Sequence, residues 1–423
     1  MRILIKGGRV IDPARGIDRQ GDILVDGDRI GEGGGADRII EAGGLWVVPG
    51  LIDLHVHLRE PGFEYKEDLA SGTRAAARGG FTTVAAMANT SPVTDSRAAV
   101  EWMVRAAAER GVVNVLPVGA VSKGQKGEEL AELGDMAEGG AVAFSDDGHP
   151  VANGELMRCA LQYAAMWGRP VISHCEEPKL AGEGVMNLGY WSTVLGLRGM
   201  PAAAEAAMVA RDIMLAELTG GHLHLAHLST AASVALVRDA KARGLGVTAE
   251  VTPHHLVLTD EAVNEYRYDT DTKVNPPLRT AGDIEALVGA LADGVIDAIA
   301  TDHAPHHRDD KDVEYNYAAF GISGLETALG LVLTRLVKTG RLDVMGAIRA
   351  LTAGPAGVLG LDRGTLAVGS PADVTVIDPE RKWTVDPGTF ASKGKNTPFK
   401  GWELQGRAVL TVVAGRIVHE ELA

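Results

Sequence analysis

Between residues 51 and 302 the chain alternates eight short β-prone apolar runs with longer stretches rich in Ala and Leu, a pattern that restricts it to folds built on a parallel sheet. The runs are LIDLHVH, FTTVAAMA, NVLPVGAV, AVAFSD, PVISHC, HLHLAHL, GVTAEVTP and IDAIATD. Eight such strands with helical crossovers close into a (β/α)8 barrel of the TIM type. Ahead of them, ILIKGG, RVID, DILVDGDRI, RIIEAGG and LWVVPG read as short strands separated by turns, and the same grammar returns in GTLAVGSPADVTVID and AVLTVVAGRIV. Neither terminal piece is large enough to bury a good core alone, so the two are expected to pair. The expected organisation is an α/β chain with residues 1–50 and 364–423 forming a small β-sandwich domain and 51–363 forming the barrel.

The first run ends in His55-Val56-His57-Leu58-Arg59. Period-2 alternation sends His55, His57 and Arg59 to one face of a strand. Two imidazoles so placed can share one ion, and the guanidinium beyond them can grip an anion through two parallel hydrogen bonds. Asp147, His174, His227 and Asp302 each stand at the carboxyl end of another run, on the face where such a barrel carries its active site. In HLHLAHL, His227 shares a face with Leu223 and Leu225, whereas His222 and His224 lie on the other and are assigned to hydrogen bonds with the helical layer. His254 and His255 stay open, one of them being a candidate to orient a ligand.

Four neutral imidazoles and two carboxylates suit a pair of divalent ions bridged by one carboxylate, with a shared water between them. Such a site lowers the pKa of bound water and polarises a carbonyl, which is a solution for hydrolysis at neutral pH. Zinc fits the nitrogen-rich set, with manganese, cobalt and iron as alternatives. Asp302, touching both metal and water, is the expected proton carrier.

A formal charge of −15 argues against a nucleic-acid partner. Cys159 and Cys175 are the only cysteines and suggest neither a disulfide framework nor a zinc knuckle; Cys175 reads as buried filler beside His174. The opening MRILIKGGRVIDPARG lacks an apolar stretch long enough for a signal peptide or membrane helix, so a soluble, cytoplasmic protein is expected. His149 and His419 read as loop and surface residues.

DLHVHLREPG at 53–62 and ATDHAPHHRDDK at 300–311 resemble the two signature segments of the dihydroorotases, in the cyclic amidohydrolase family. The likeness extends over essentially the whole chain, through Asn89-Thr90, SDDG around Asp147, VNPPLR around Asn275 and FGISGLETAL from Phe320. It implies that His55 and His57 hold one metal with Asp302, that His174 and His227 hold a second, and that Asp147 bridges them. It further implies that Arg59, Asn89 and His306 bind the substrate carboxylate while Asn275 and the backbone at Phe320-Gly321 contact the pyrimidine ring. The implied reaction is the reversible cyclisation of N-carbamoyl-L-aspartate to (S)-dihydroorotate in pyrimidine synthesis.

Many relatives bridge their metals with a carboxylated lysine on the fourth strand, but this chain has no lysine between Lys126 and Lys179. It is similar instead to the bacterial subgroup with an aspartate there, Asp147 being the choice and Asp146 the alternative. Occupancy of the second metal site stays open, because an aspartate spans less distance than a carboxylated lysine. Two other readings stand beside this one: a dihydropyrimidinase, hydantoinase or allantoinase acting on cyclic amides without the carboxylate, or a non-catalytic partner of aspartate carbamoyltransferase. That carbamoyltransferase and a second copy of the chain are the candidate macromolecular partners. The polar segment HHRDDKDVEYNYAAFG, from His306 to Gly321, is a solvated loop or a substrate lid.

Overall fold

The computed structural model describes residues 2–422. Eight strands run parallel in chain order: Leu51–Val56, Phe81–Ala86, Asn114–Gly119, Ala143–Phe144, Val171–Ser173, Leu223–Leu225, Val247–Val251 and Ala298–Ile299. Each falls within one of the eight apolar runs. The first and last approach through a parallel bridge between Val56 and His303, where the His57 amide donates to the His303 carbonyl at 2.8 Å. Beside this seam the buried Asp53 carboxylate accepts from the Thr301 amide at 3.0 Å, the Thr301 hydroxyl at 2.6 Å and the His55 amide at 3.1 Å.

Side-chain alternation sorts the strands into two layers. Val84, Ala86, Leu223, Leu225, Val247, Ala249, Val251 and Ile299 join the large core shared with the helices. Ala85, Met87, Val118, Ala143, Ile172, Ala226, Ala298 and Ala300 fill a second cluster inside the barrel, together with Val358 and Leu359. Small residues predominate there because eight strands leave an interior only wide enough for side chains to fill. Between Asp53 and Val56 the first strand carries one residue more than its neighbour: Asp53 stands opposite Val84 and Val56 opposite Ala86, so two residues face the single position Ala85. This bulge lets Leu54 enter the interior cluster and still leaves His55 aimed inward behind it.

The termini form one further sheet of eight strands. Its centre is Trp46–Pro49, which pairs in parallel with Arg2–Asp12 on one side and antiparallel with Val374–Thr384 on the other. Ile17–Asp26 and Arg29–Gly31 extend the first edge, Arg38–Glu41 pairs with Arg2–Asp12, and Glu403–Val413 and Arg416–Glu420 extend the second edge. A separate core of Ile3, Ile5, Val25, Val47, Val374, Val376, Leu410 and Val412 draws on both ends of the chain, as their individual lack of apolar area requires. Between Thr384 and Glu403 the chain leaves this sheet and lies on the barrel, where Val385, Phe390 and Phe399 pack with Leu258, Val274, Ile322 and Leu331. No helix among the described residues is long and apolar enough to cross a membrane.

Replacing Asp53 with Ala strands two buried amides and a hydroxyl at the barrel seam. Each orphaned donor costs about 1–3 kcal/mol, so Asp53→Ala is expected to lower unfolding free energy by at least about 3 kcal/mol in urea titrations. A loss below about 0.5 kcal/mol would show that the seam does not depend on this carboxylate.

Candidate metal centre and substrate cavity

Six side chains from five strand ends converge at the carboxyl end of the barrel. His55 Nε2 lies 3.1 Å from Asp147 Oδ2 and 3.6 Å from Asp302 Oδ1, and His57 Nε2 lies 3.4 and 3.1 Å from the same two atoms. The other oxygen of Asp147 lies 3.4 Å from His174 Nδ1 and 3.3 Å from His227 Nε2. Asp147 therefore turns one oxygen toward each histidine pair. Potential ligand atoms of His55, His57 and Asp147, and separately of Asp147, His174 and His227, all lie within 4.8 Å of one another.

The hydrogen bonds behind these rings decide what the cluster can hold. His55 Nδ1 donates to Glu250 Oε1 at 2.8 Å, and His57 Nδ1 donates to Asn89 Oδ1 at 2.8 Å. A ring kept neutral with Nδ1 as its donor presents the lone pair of Nε2 to a carboxylate. His55 Nε2 is buried without a hydrogen-bond partner: its 3.1 Å approach to Asp147 is short, yet the geometry is not that of a hydrogen bond. His174 Nδ1 and His227 Nε2 face each other at 3.0 Å. Lone pairs and carboxylate oxygens converging in a buried space require a cation among them, so the donor set fits metal ions.

Charge preferences agree. Burial opposes ionisation of Asp147, but His55, His174 and His227 hold its carboxyl well below the usual range. Against the same burial, Asp147 and Glu176 push His174 up to about 10, a second sign that the space calls for positive charge. Asp302 is likewise held ionised, burial being outweighed by His55 and His57.

Arg59, Asn89, Asn275, His306, Phe320 and Gly321 line one cavity of about 270 Å³ with His57, Asp147, His174 and Asp302. His55 and His227 are buried among the residues that line it. Burial lowers Arg59 only to about 10, so the guanidinium stays charged at neutral pH; its Nε donates to the Pro305 carbonyl at 3.2 Å. His306 Nε2 donates to the Phe320 carbonyl at 2.8 Å, and burial, reinforced by Arg59, Lys66 and Lys311, pushes His306 down to about 2. Gly321 has φ +123°, and a Cβ there would stand 2.6 Å from that of Ala304, so the close backbone approach requires glycine. Arg59, His227 and Asp302 also have positive φ, at 63°, 33° and 46°. Such conformations are costly for residues with a side chain and concentrate at functional sites.

Along its length the chain is 58% identical to the dihydroorotase of Pelotomaculum thermopropionicum, covering 100% of this chain and 99% of that protein. It is 57% identical to the dihydroorotase of Syntrophotalea carbinolica, covering 99% of each. The chain belongs to the dihydroorotase family. A family model described as dihydro-orotase-like matches residues 44–233, and one for the amidohydrolase family matches 202–419. Among solved structures, the L-hydantoinase (dihydropyrimidinase) of Arthrobacter aurescens superposes with a TM-score of 0.89 at 27% identity, covering 100% of this chain and 96% of that one. Dihydroorotase relatives thus carry much the greater sequence likeness, and the hydantoinase shares the architecture.

Several placements differ from the sequence reading. Leu223 and Leu225 face the helices, so strict alternation would send His227 outward with them; the strand ends at Leu225 and positive φ at His227 turns its ring inward. His222 and His224 bond not to the helical layer but to the neighbouring strand, both through the Thr248 hydroxyl at 2.9 Å. Asp146 does not face the imidazoles: its carboxylate accepts from the Val121 and Ser122 amides at 2.8 and 3.0 Å and from the Ser122 hydroxyl. His255 bonds the Thr252 hydroxyl and the Pro276 carbonyl, and no hydrogen bond joins His254 or His255 to a candidate ligand among the described residues.

Sequence reasoning passed over Glu250; His149 lies in a loop, as expected, and from there lines the cavity. Glu250, fully buried, supports His55 and also faces His224 Nε2 at 3.1 Å. Its signal was an acidic residue at an inward position of the apolar run GVTAEVTP. Because Glu250 fixes both the tautomer and the direction of His55, Glu250→Ala is expected to weaken metal binding about 10- to 100-fold in chelator-competition titrations. Unchanged affinity would mean that His55 does not depend on this carboxylate for its orientation.

Proposed function

We propose that the chain catalyses the reversible cyclisation of N-carbamoyl-L-aspartate to (S)-dihydroorotate and water, in the de novo synthesis of pyrimidines. One observation carries the reading: a charged Arg59 shares a single cavity with the candidate metal ligands, alongside Asn89, Asn275, His306 and the backbone at Phe320-Gly321. A cyclic amide without a carboxylate gives that cation nothing to neutralise, whereas dihydroorotate offers a carboxylate that Arg59 can pair with bidentately.

In this reading His55, His57 and Asp302 would hold one divalent ion and His174 and His227 another, with Asp147 as the carboxylate shared by the two sites. Zinc is the ion best matched to the imidazole-rich set. The ions, when bound, supply an activated water and a Lewis acid for the amide carbonyl. Arg59, Asn89 and His306 bind the substrate carboxylate and set the ring in the cavity. In the hydrolytic direction water oxygen adds to the ring amide carbonyl carbon, the C–N bond breaks, and the nitrogen leaves as part of the carbamoyl group. Asp302 takes the proton from the attacking water and delivers it to that nitrogen. Ring closure runs through the same positions in reverse. Cytoplasmic residence and association with aspartate carbamoyltransferase or with a second copy of the chain belong to the same proposal.

Asp302→Asn is expected to keep the fold and most of the metal and to lose at least about 100-fold in kcat, the scale of general acid–base catalysis. Near-normal turnover would remove Asp302 as the proton carrier. Arg59→Met is expected chiefly to raise KM for dihydroorotate, and the wild-type protein to prefer dihydroorotate over hydantoin and dihydrouracil. A preference for the uncharged rings would replace this reading with a hydantoinase one.

A further inference from the structure

Asn275 is held at both ends. Its backbone is followed by Pro276, whose carbonyl accepts from His255 Nε2 at 2.9 Å. Its side chain donates from Nδ2 to Glu176 Oε2 at 2.8 Å. The same carboxylate oxygen lies 3.6 Å from His174 Nε2, so the Asn275 amide and the His174 ring face one acceptor. Turning the amide by 180° would set its oxygen against the Glu176 carboxylate, acceptor against acceptor, so only one orientation is favourable. In that orientation Asn275 Oδ1 is buried and has no hydrogen-bond partner. Asn275 lines the substrate cavity, so a donor that a ligand seats against it can satisfy the orphaned acceptor.

We propose that Glu176 is a positioning residue that locks the Asn275 amide so that its oxygen accepts an N–H of the substrate, making this pair a reader of ring nitrogen protonation. The proposal rests on the dihydroorotase reading and deepens it. Dihydroorotate carries two ring N–H groups and carbamoyl aspartate carries ureido N–H groups, so a donor is available in both directions of the reaction. A site built around a hydrogen bond rejects an analogue that lacks the donor, because the acceptor is then buried unpaired. Glu176 itself needs no contact with substrate for this role. It selects by removing the alternative amide rotamer, which would present an NH2 group instead.

The test compares dihydroorotate with its N1-methyl and N3-methyl derivatives on the metal-loaded wild type, Glu176→Ala, Glu176→Gln and Asn275→Leu, with metal content and thermal midpoint measured for each. Wild type should discriminate against one methyl derivative, and Asn275→Leu should lose about tenfold of that discrimination. Glu176→Ala should raise KM for dihydroorotate about five- to tenfold with a smaller effect on kcat, and should relax the same discrimination. Glu176→Gln, whose amide oxygen can still accept from Asn275 Nδ2, should recover most of both. Wild-type ratios across the three substrates in both Glu176→Ala and Asn275→Leu would overturn the proposal. Relaxed discrimination in Asn275→Leu alone would overturn the part assigned to Glu176. A metal-loaded wild type inert toward dihydroorotate itself would instead remove the functional reading on which the pair depends.

Discussion

A single buried carboxylate facing four imidazoles organises this site. Asp147 turns Oδ2 to His55 and His57 and Oδ1 to His174 and His227, and no arrangement of neutral rings alone satisfies that convergence. A buried anion ringed by lone pairs is unstable unless cations lie between them. The rest of the fold can be understood as holding the anion and its rings in place against that instability. The bulge in the first strand aims His55, the Glu250 carboxylate and the Asn89 amide oxygen fix two tautomers, and positive φ at His227 swings a residue past the end of its strand. Each device acts on orientation, which matters more for a metal site than the mere presence of the ligand types.

Much of this was legible in the sequence because barrel architecture is written at low resolution. Eight apolar runs at helix-length spacing fix the strand count, and a His or Asp at the end of a run places it on the functional face. What alternation could not supply was the behaviour of the chain where regular structure stops. His227 lies two residues beyond Leu225, and parity has no force there because the backbone is no longer extended. In the first strand, alternation gave the right side for His55 only because a bulge lets Leu54 and His55 both face inward. Asp146 and Asp147 could not be separated by parity for the same reason, and the difference lies in contacts. One carboxylate is consumed by the backbone amides of Val121 and Ser122, and the other is left for the imidazoles.

Glu250 and Glu176 escaped notice for another reason. Neither belongs to a ligand pattern; each acts on a residue that does, from a different strand end or from the residue pair following it. Supporting groups of this kind are defined by tertiary contact, and a single sequence shows only their unusual burial context. Glu250 sits in an apolar run where a charge needs a partner, whereas Glu176 sits in a loop where a charge needs none.

The segment from His306 to Gly321 is bonded within itself and to the barrel more extensively than its composition suggests. Its charged residues suggest a solvated loop, yet Lys311 turns inward and donates to the carbonyls of Ala319 and Gly321 at 2.8 and 3.0 Å. Lys273 reaches the same segment from outside it, donating to the Asn316 carbonyl at 3.0 Å with its ammonium 4.5 Å from the Phe320 ring centroid, while its own carbonyl accepts from the Gly321 amide at 2.9 Å. Burial brings both lysines down to about 8, a cost that the carbonyl bonds and the aromatic face offset. Asn396, from the stretch that leaves the terminal sheet, adds a bond to the Gly321 carbonyl at 3.0 Å and another to the Ala304 carbonyl at 3.3 Å. The backbone at Phe320-Gly321 is thus fixed by Lys311 from within the segment and by Lys273 and Asn396 from two distant parts of the chain. A wall held this way meets a ligand without first losing its own conformational freedom, so the cavity spends little of its binding free energy on ordering itself.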